Sequence, residues 1–120
     1  MNYVDGFLLP LPKDKLDEYQ KIAHRAGEIW MEHGAIAYWE TVGDDLVNEG
    51  VTSFSESATC KDGEIPVFAW IIYPSREERD RINALVMADP RMDTMMDKDD
   101  PIFDFKRMAY GGFKAIVCHQ

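Results

Sequence analysis

"KRMAYGGFKAIV", Lys106 to Val117, has the content of a closing strand, yet Gly111 and Gly112 stand where side chains should pack. Glycine weakens a strand interior and marks a bulge or a close approach of backbone to another group. The natural neighbour for this strand is "YVDGFLLPL", Tyr3 to Leu11, which is rich in β-formers, almost continuously apolar and suited to burial on both faces. Antiparallel pairing of the two places Gly111 and Gly112 near Gly6. There a helix can press on the sheet, or a bulge can bend it into a half-barrel.

Between these strands the pattern alternates. From Lys13 to His33, Leu16, Tyr19, Ala23, Ala26 and Trp30 recur at helical period, with Ile22 and Ile29 widening the stripe. Asp14, Asp17 and Glu18 suit the start of that helix and Gly34 its stop. "AIAYWETV", Ala35 to Val42, reads as a second strand, followed by an acidic loop from Gly43 to Gly50. Asp62-Gly63 then predicts a hairpin pairing Ser53 to Cys60 with a third strand, Ile65 to Tyr73, in which Pro66 must lie at an edge or at the strand start. "SREE" forms a capping box at Ser75 and Glu78, opening a helix to about Ala88 that buries Ile82, Leu85 and Val86. Asp89 and Pro90 start a short helix, Arg91 to Asp97, and "DKDDPIFDF" is a loop.

The order is strand, helix, strand, strand, helix, strand: an α+β, ferredoxin-like split βαβ unit with an antiparallel sheet, and one domain over residues 1–120. In that topology the first strand is central, flanked by the third and the last, and both helices cover one face. The sequence carries more Trp, Tyr and Phe than one such layer needs. A second copy facing the open side of the sheet accounts for the excess, which predicts a homodimer.

Composition narrows the function. With 13 Lys and Arg against 22 Asp and Glu, the net charge is −9, and no basic cluster stands out. Nucleic acid and anionic membrane surfaces are therefore poor partners, and an uncharged or cationic ligand is better tolerated than an anion. No apolar run approaches a membrane span, and Cys60 and Cys118 lack the spacing of a disulfide scaffold or a redox motif. Cytoplasmic location is the default expectation.

Four blocks, "YVDGF" (3–7), "FAWIIYPSREERD" (68–80), "DPRM" (89–92) and "KRMAYGGF" (106–113), resemble the YbaA-like family of uncharacterised bacterial proteins, known as domain of unknown function 1428. The resemblance covers about Tyr3 to Val117. It implies a dimeric α/β-barrel fold, similar to that of small antibiotic-biosynthesis-type monooxygenases and haem-degrading enzymes, and implies no established activity. Relatives often carry a cysteine where Thr41 stands, so thiol chemistry at that position is excluded here.

The candidate catalytic residue is Asp5, because a carboxylate in a doubly covered strand loses hydration and its proton affinity shifts. It can serve as a proton acceptor, pair with Arg107 or Arg91, or accept backbone amides at a bulge. Alternation puts Tyr3, Asp5 and Phe7 on one face, and small Gly6 suits helix packing on the other, which assigns Tyr3, Asp5 and Phe7 to the barrel interior. Trp39, Trp70, Tyr73 and Tyr110 would complete an aromatic pocket for a small organic molecule, unless they are dimer core. Arg91 can clamp an anion by its fork or tie its helix to the rest. His33 caps the first helix. His24 and His33 are nine residues apart, so no metal site forms from them. Met87, Met92, Met95 and Met96 read as gap fillers rather than copper(I) ligands, and no cofactor motif is present.

Two functions remain: a binding protein that holds a small organic molecule in an aromatic-lined cavity, or a cofactor-independent monooxygenase- or isomerase-like enzyme using Asp5.

Overall fold

The computed structural model describes every residue except 96 and 98. Four strands form one antiparallel sheet in the order β2-β3-β1-β4: β1 is Tyr3–Pro12, β2 Ala37–Val42, β3 Glu64–Tyr73 and β4 Ala109–Lys114. The helices are α1 (Leu16–His33), α2 (Phe54–Ser57), α3 (Arg76–Met87) and α4 (Pro90–Asp93). This is the ferredoxin-like arrangement, with β1 flanked by β3 and β4.

The local signals explain most boundaries. A short turn of tighter helix, Lys13–Lys15, leads into α1, and Gly34 ends it at φ 118°, a conformation glycine adopts without a Cβ penalty. The Ser75 Oγ accepts the Glu78 N–H at 3.1 Å to start α3, while the Glu78 carboxylate turns outward to Arg81 instead of closing the box. Asp89 caps α4 by accepting the Arg91 N–H at 3.0 Å, with Pro90 in the first helical position. Only the first turn of the expected Arg91 to Asp97 helix forms, and position 96 lies outside the described residues.

The expected strand at Ser53 to Cys60 is a helix. Ser53 accepts the Glu56 N–H at 3.1 Å and opens α2, whose Phe54 packs edge-on against Phe68 at 5.7 Å between ring centroids. A serine followed three residues later by glutamate is itself a helix start, and here it outweighs the hairpin signal of Asp62-Gly63. Pro66 does lie near the start of β3. It faces Pro10 of β1, beyond the last pairs made by β2 and β4, so neither missing N–H interrupts a ladder.

Register decides the faces. Tyr3, Asp5, Phe7, Leu9 and Leu11 pair with Tyr73, Ile71, Ala69, Val67 and Ile65, and this set lies under the helices. Two apolar clusters hold the layers together. One joins Ile29 and Ala35 to Ile71, Tyr73, Ile82 and Val86; the other joins Leu9, Leu11 and Val67 to Ile102 and Phe103. The expectation that Tyr3, Asp5 and Phe7 point into a barrel between two sheets is therefore corrected. Gly6 lies on the open face, opposite Gly111, and its missing side chain makes room for the ring of Phe113 rather than for a helix.

A candidate ligand cavity between the sheet and the helices

Asp5 is 1% exposed and fully engaged. Arg79 Nε of α3 donates to its Oδ1 at 3.0 Å, and Asn83 Nδ2 donates to Oδ2 at 3.2 Å, with the Tyr73 hydroxyl 3.0 Å from the same oxygen. The expected partners Arg107 and Arg91 lie elsewhere: Arg107 holds Glu64 with two bonds of 2.8 Å, and Arg91 holds Asp89 and Glu32, tying α4 to α1. The guanidinium of Arg79 also stacks on the Tyr3 ring, 4.9 Å from its centroid. Gly112, opposite Asp5 on β4, leaves the space for this stack, since a Cβ there would stand 2.5 Å from the Tyr3 hydroxyl oxygen. Burial and the neighbouring Asp5 carboxylate both raise the proton affinity of the Tyr73 and Tyr110 hydroxyls, which stay neutral donors.

A second carboxylate lies on the same face of the sheet. Glu40 of β2 pairs with Ala69, and its two oxygens accept hydrogen bonds from Tyr19 of α1 at 2.7 Å and Tyr38 at 2.8 Å. Burial raises its pKa, and the two hydroxyl bonds offset part of that rise. No ion pair reaches Glu40 among the described residues.

Glu40 borders a cavity of about 200 Å³ between α1 and the sheet. Phe7, Leu9, Ala69 and Ile71 form its floor, Ile22, Ala26 and Trp30 of α1 its roof. Met92, Met95, Phe103 and Phe105 close the side. Trp30 connects this wall to the Asp5 cluster, because its Nε1 donates to Asn83 Oδ1 at 3.1 Å. Glu40 is the only charged side chain lining the cavity among the described residues.

The residues expected to form one aromatic pocket divide between the faces. Phe7 lines the cavity, whereas Trp39 pairs with Trp70 and presents its ring on the open face. Tyr3, Tyr73 and Tyr110 belong to the Asp5 side of the helix-covered face, with Tyr110 against Phe7 at 5.0 Å. Trp70 lies on the open face, stacked on Trp39 at 5.6 Å and 7° between planes. His33 bonds the Asp89 carboxylate at 3.1 Å rather than the last carbonyls of α1. Glu40, Tyr19, Tyr38, Arg79 and Asn83 were not singled out by the sequence reading. For Glu40 a signal existed, since alternation along β2 puts it on one face with Tyr38, and a charged residue there is buried if that face is covered.

The match to a family model for proteins of unknown function, DUF1428, runs over residues 2–105. This chain belongs to the DUF1428 family. Its relatives in that family include the uncharacterised protein YbaA of Escherichia coli K12 and that of Shigella flexneri, each 41% identical over 117 residues and aligned over 98% of both chains. Similar solved structures are an uncharacterised NIPSNAP domain protein from Burkholderia xenovorans and a NIPSNAP family protein of unknown function from Agrobacterium tumefaciens. The first has a TM-score of 0.60 at 16% identity, covering 98% of this chain and 99% of its own. The second has a TM-score of 0.58 at 16% identity, covering 95% and 87%. At that identity they show fold alone, the ferredoxin-like fold that this chain shares with these domains. No described helix is long and apolar enough to cross a membrane.

Proposed function

We propose that this chain binds a small, largely apolar organic molecule in the cavity between α1 and the sheet, as one half of a cytoplasmic homodimer. The observation that carries the reading is the cavity itself: about 200 Å³ walled by aliphatic, aromatic and methionine side chains, with one carboxylate at its border. Ligand sites have this composition, a mostly apolar wall with few oriented polar groups. Asp5 does not line the cavity and has its partners within the protein, which favours binding over proton abstraction by Asp5.

The dimer rests on the open face. Over its central rows, from Ala37, Trp39 and Thr41 across to Ala109, Gly111 and Phe113, no position is charged. Trp39 is 57% exposed on this face. For a chain of net charge −9, an uncharged aromatic face is the surface on which a second copy meets least repulsion. Cys60 and Cys118 are both free thiols, as suits a reducing compartment.

Native mass spectrometry of protein purified from its own host tests the reading. A dimer that carries a stoichiometric added mass, lost on denaturation, is the expected result. A monomer, or a dimer of bare mass that also fails to take up any added aromatic compound, overturns it.

A further inference from the structure

The polar end of the cavity offers acceptors and no donors. The Tyr19 and Tyr38 hydroxyl protons are both given to Glu40, and the Trp30 indole proton is given to Asn83. What faces the cavity at Glu40 is the remaining lone-pair capacity of a carboxylate, two of whose roughly four acceptor sites are filled. No lining side chain is cationic among the described residues. A ligand that supplied only acceptors would leave that carboxylate facing unpaired polar atoms in an apolar enclosure, which is costly.

Resting on the reading that the cavity is a ligand site, we infer that its ligand class is an aromatic amine, bound with its ammonium group on Glu40. An ammonium brings three donors and the missing positive charge. The surrounding rings suit it in two ways. Trp30 and Tyr38, 5.8 Å apart between centroids, with Tyr19 against Phe103 at 6.1 Å, present π-faces that attract a cation and pack an aromatic ring. The chain's overall negative charge draws a cation and repels an anion. The two tyrosine hydroxyls hold the carboxylate in a fixed orientation before the ligand arrives, so little ordering is left to be done on binding.

Isothermal titration calorimetry on the full chain with three sets of probes tests this. The sets are benzylamine, 2-phenylethylamine and 3-phenylpropylamine, the alcohols of the same lengths, and the corresponding carboxylates. The best amine is expected to bind about tenfold or more tighter than its matched alcohol, the strength of a charge-assisted bond over a neutral one, and the carboxylates to bind weakest. In Glu40→Gln the amine preference is expected to vanish while alcohol binding persists. Equal or tighter binding of alcohols to the unaltered protein, a measurement that needs no variant, overturns the amine inference and leaves the cavity reading standing. A preference for amines that survives in folded Glu40→Gln overturns it as well. Failure of all three sets to bind removes the cavity reading together with the inference.

Discussion

Arg79 reaches from α3 to β1 and donates through Nε to Asp5 Oδ1 at 3.0 Å, closing an ion pair whose acid is 1% exposed. The pair lies on the face of β1 that the helices cover. A buried carboxylate is tolerated only with its charge matched and its lone pairs used, and both conditions are met from the helix side.

Removing one partner should therefore cost more than removing both. Arg79→Met is expected to destabilise by about 3–5 kcal/mol, because the buried Asp5 carboxylate loses its cation, and Asp5→Ala by less, because Arg79 keeps its pair with Asp80. Chemical denaturation of Asp5→Ala, Arg79→Met and the double variant checks this, with the double variant losing less than the sum.

Gly27 of α1 sits against the Tyr38 ring, where an added Cβ would stand 2.7 Å from Cδ1. Gly27→Ala gains about 1 kcal/mol of helix propensity, yet displacing a ring that also bonds Glu40 costs about 1–3 kcal/mol. Net destabilisation is expected, with a change in Tyr38 fluorescence or its ring NMR signals. A rise in Tm would show that α1 does not press on β2 there.

The raised pKa of Glu40 has a direction. A folded-state value above the unfolded one contributes stability that is fully present below the ordinary carboxylate range and lost as pH rises through the raised value. Glu40→Gln, which removes the titration and keeps the shape, should thus hold its Tm as pH rises, where the wild type loses stability. The gap should close in acid. Thermal melts from about pH 4 to about pH 8 read it directly.

Glu64 has the opposite sign. The hydrogen bonds from Arg107, and then that from the Lys61 amide, lower its pKa to about 2. Its contribution is present above the ordinary carboxylate range and is lost as pH falls through about 2. Glu64→Gln should melt lower than wild type near neutrality, and the difference should shrink progressively in acid.

On the open face, Trp39→Glu should convert the proposed dimer to monomer by burying like charges against each other across a two-fold contact. Sedimentation velocity of the wild type as a monomer at micromolar concentration would contradict the dimer outright.

The elements were legible where one pattern ran long enough to dominate. In α1, five turns of apolar residues at helical spacing closed by Gly34 leave no competing reading. The β1 and β4 pairing follows from strand content and from the glycines, Gly6 meeting Gly111 in register with Gly112 beside it. Short segments were not legible in the same way: at Ser53 to Cys60 a helix cap and a hairpin turn compete within a few residues, and the contact of Phe54 with Phe68 decides between them.

The site was less legible because alternation divides a strand into two faces without saying which is covered. The small size of Gly6 suggests a helix contact, whereas Phe113, remote in sequence, fills the space above it. The sounder cue was Asp5, whose burial demands a cation on the covering layer, but Arg76, Arg79 and Arg81 on α3 are equivalent until the helix is placed. Glu40 is hidden for the same reason: its burial is a property of α1 lying across β2, which "AYWETV" alone does not state.

The most direct measurement is methyl NMR of the labelled protein titrated with 2-phenylethanol. The account predicts shifts concentrated at Leu9, Ile22, Ala23, Ala26, Ile71, Met92, Met95 and Met108, the methyl-bearing residues around the cavity. Shifts confined to Val4, Leu8 and Ile72 on the open face, or none at saturating probe, would contradict it.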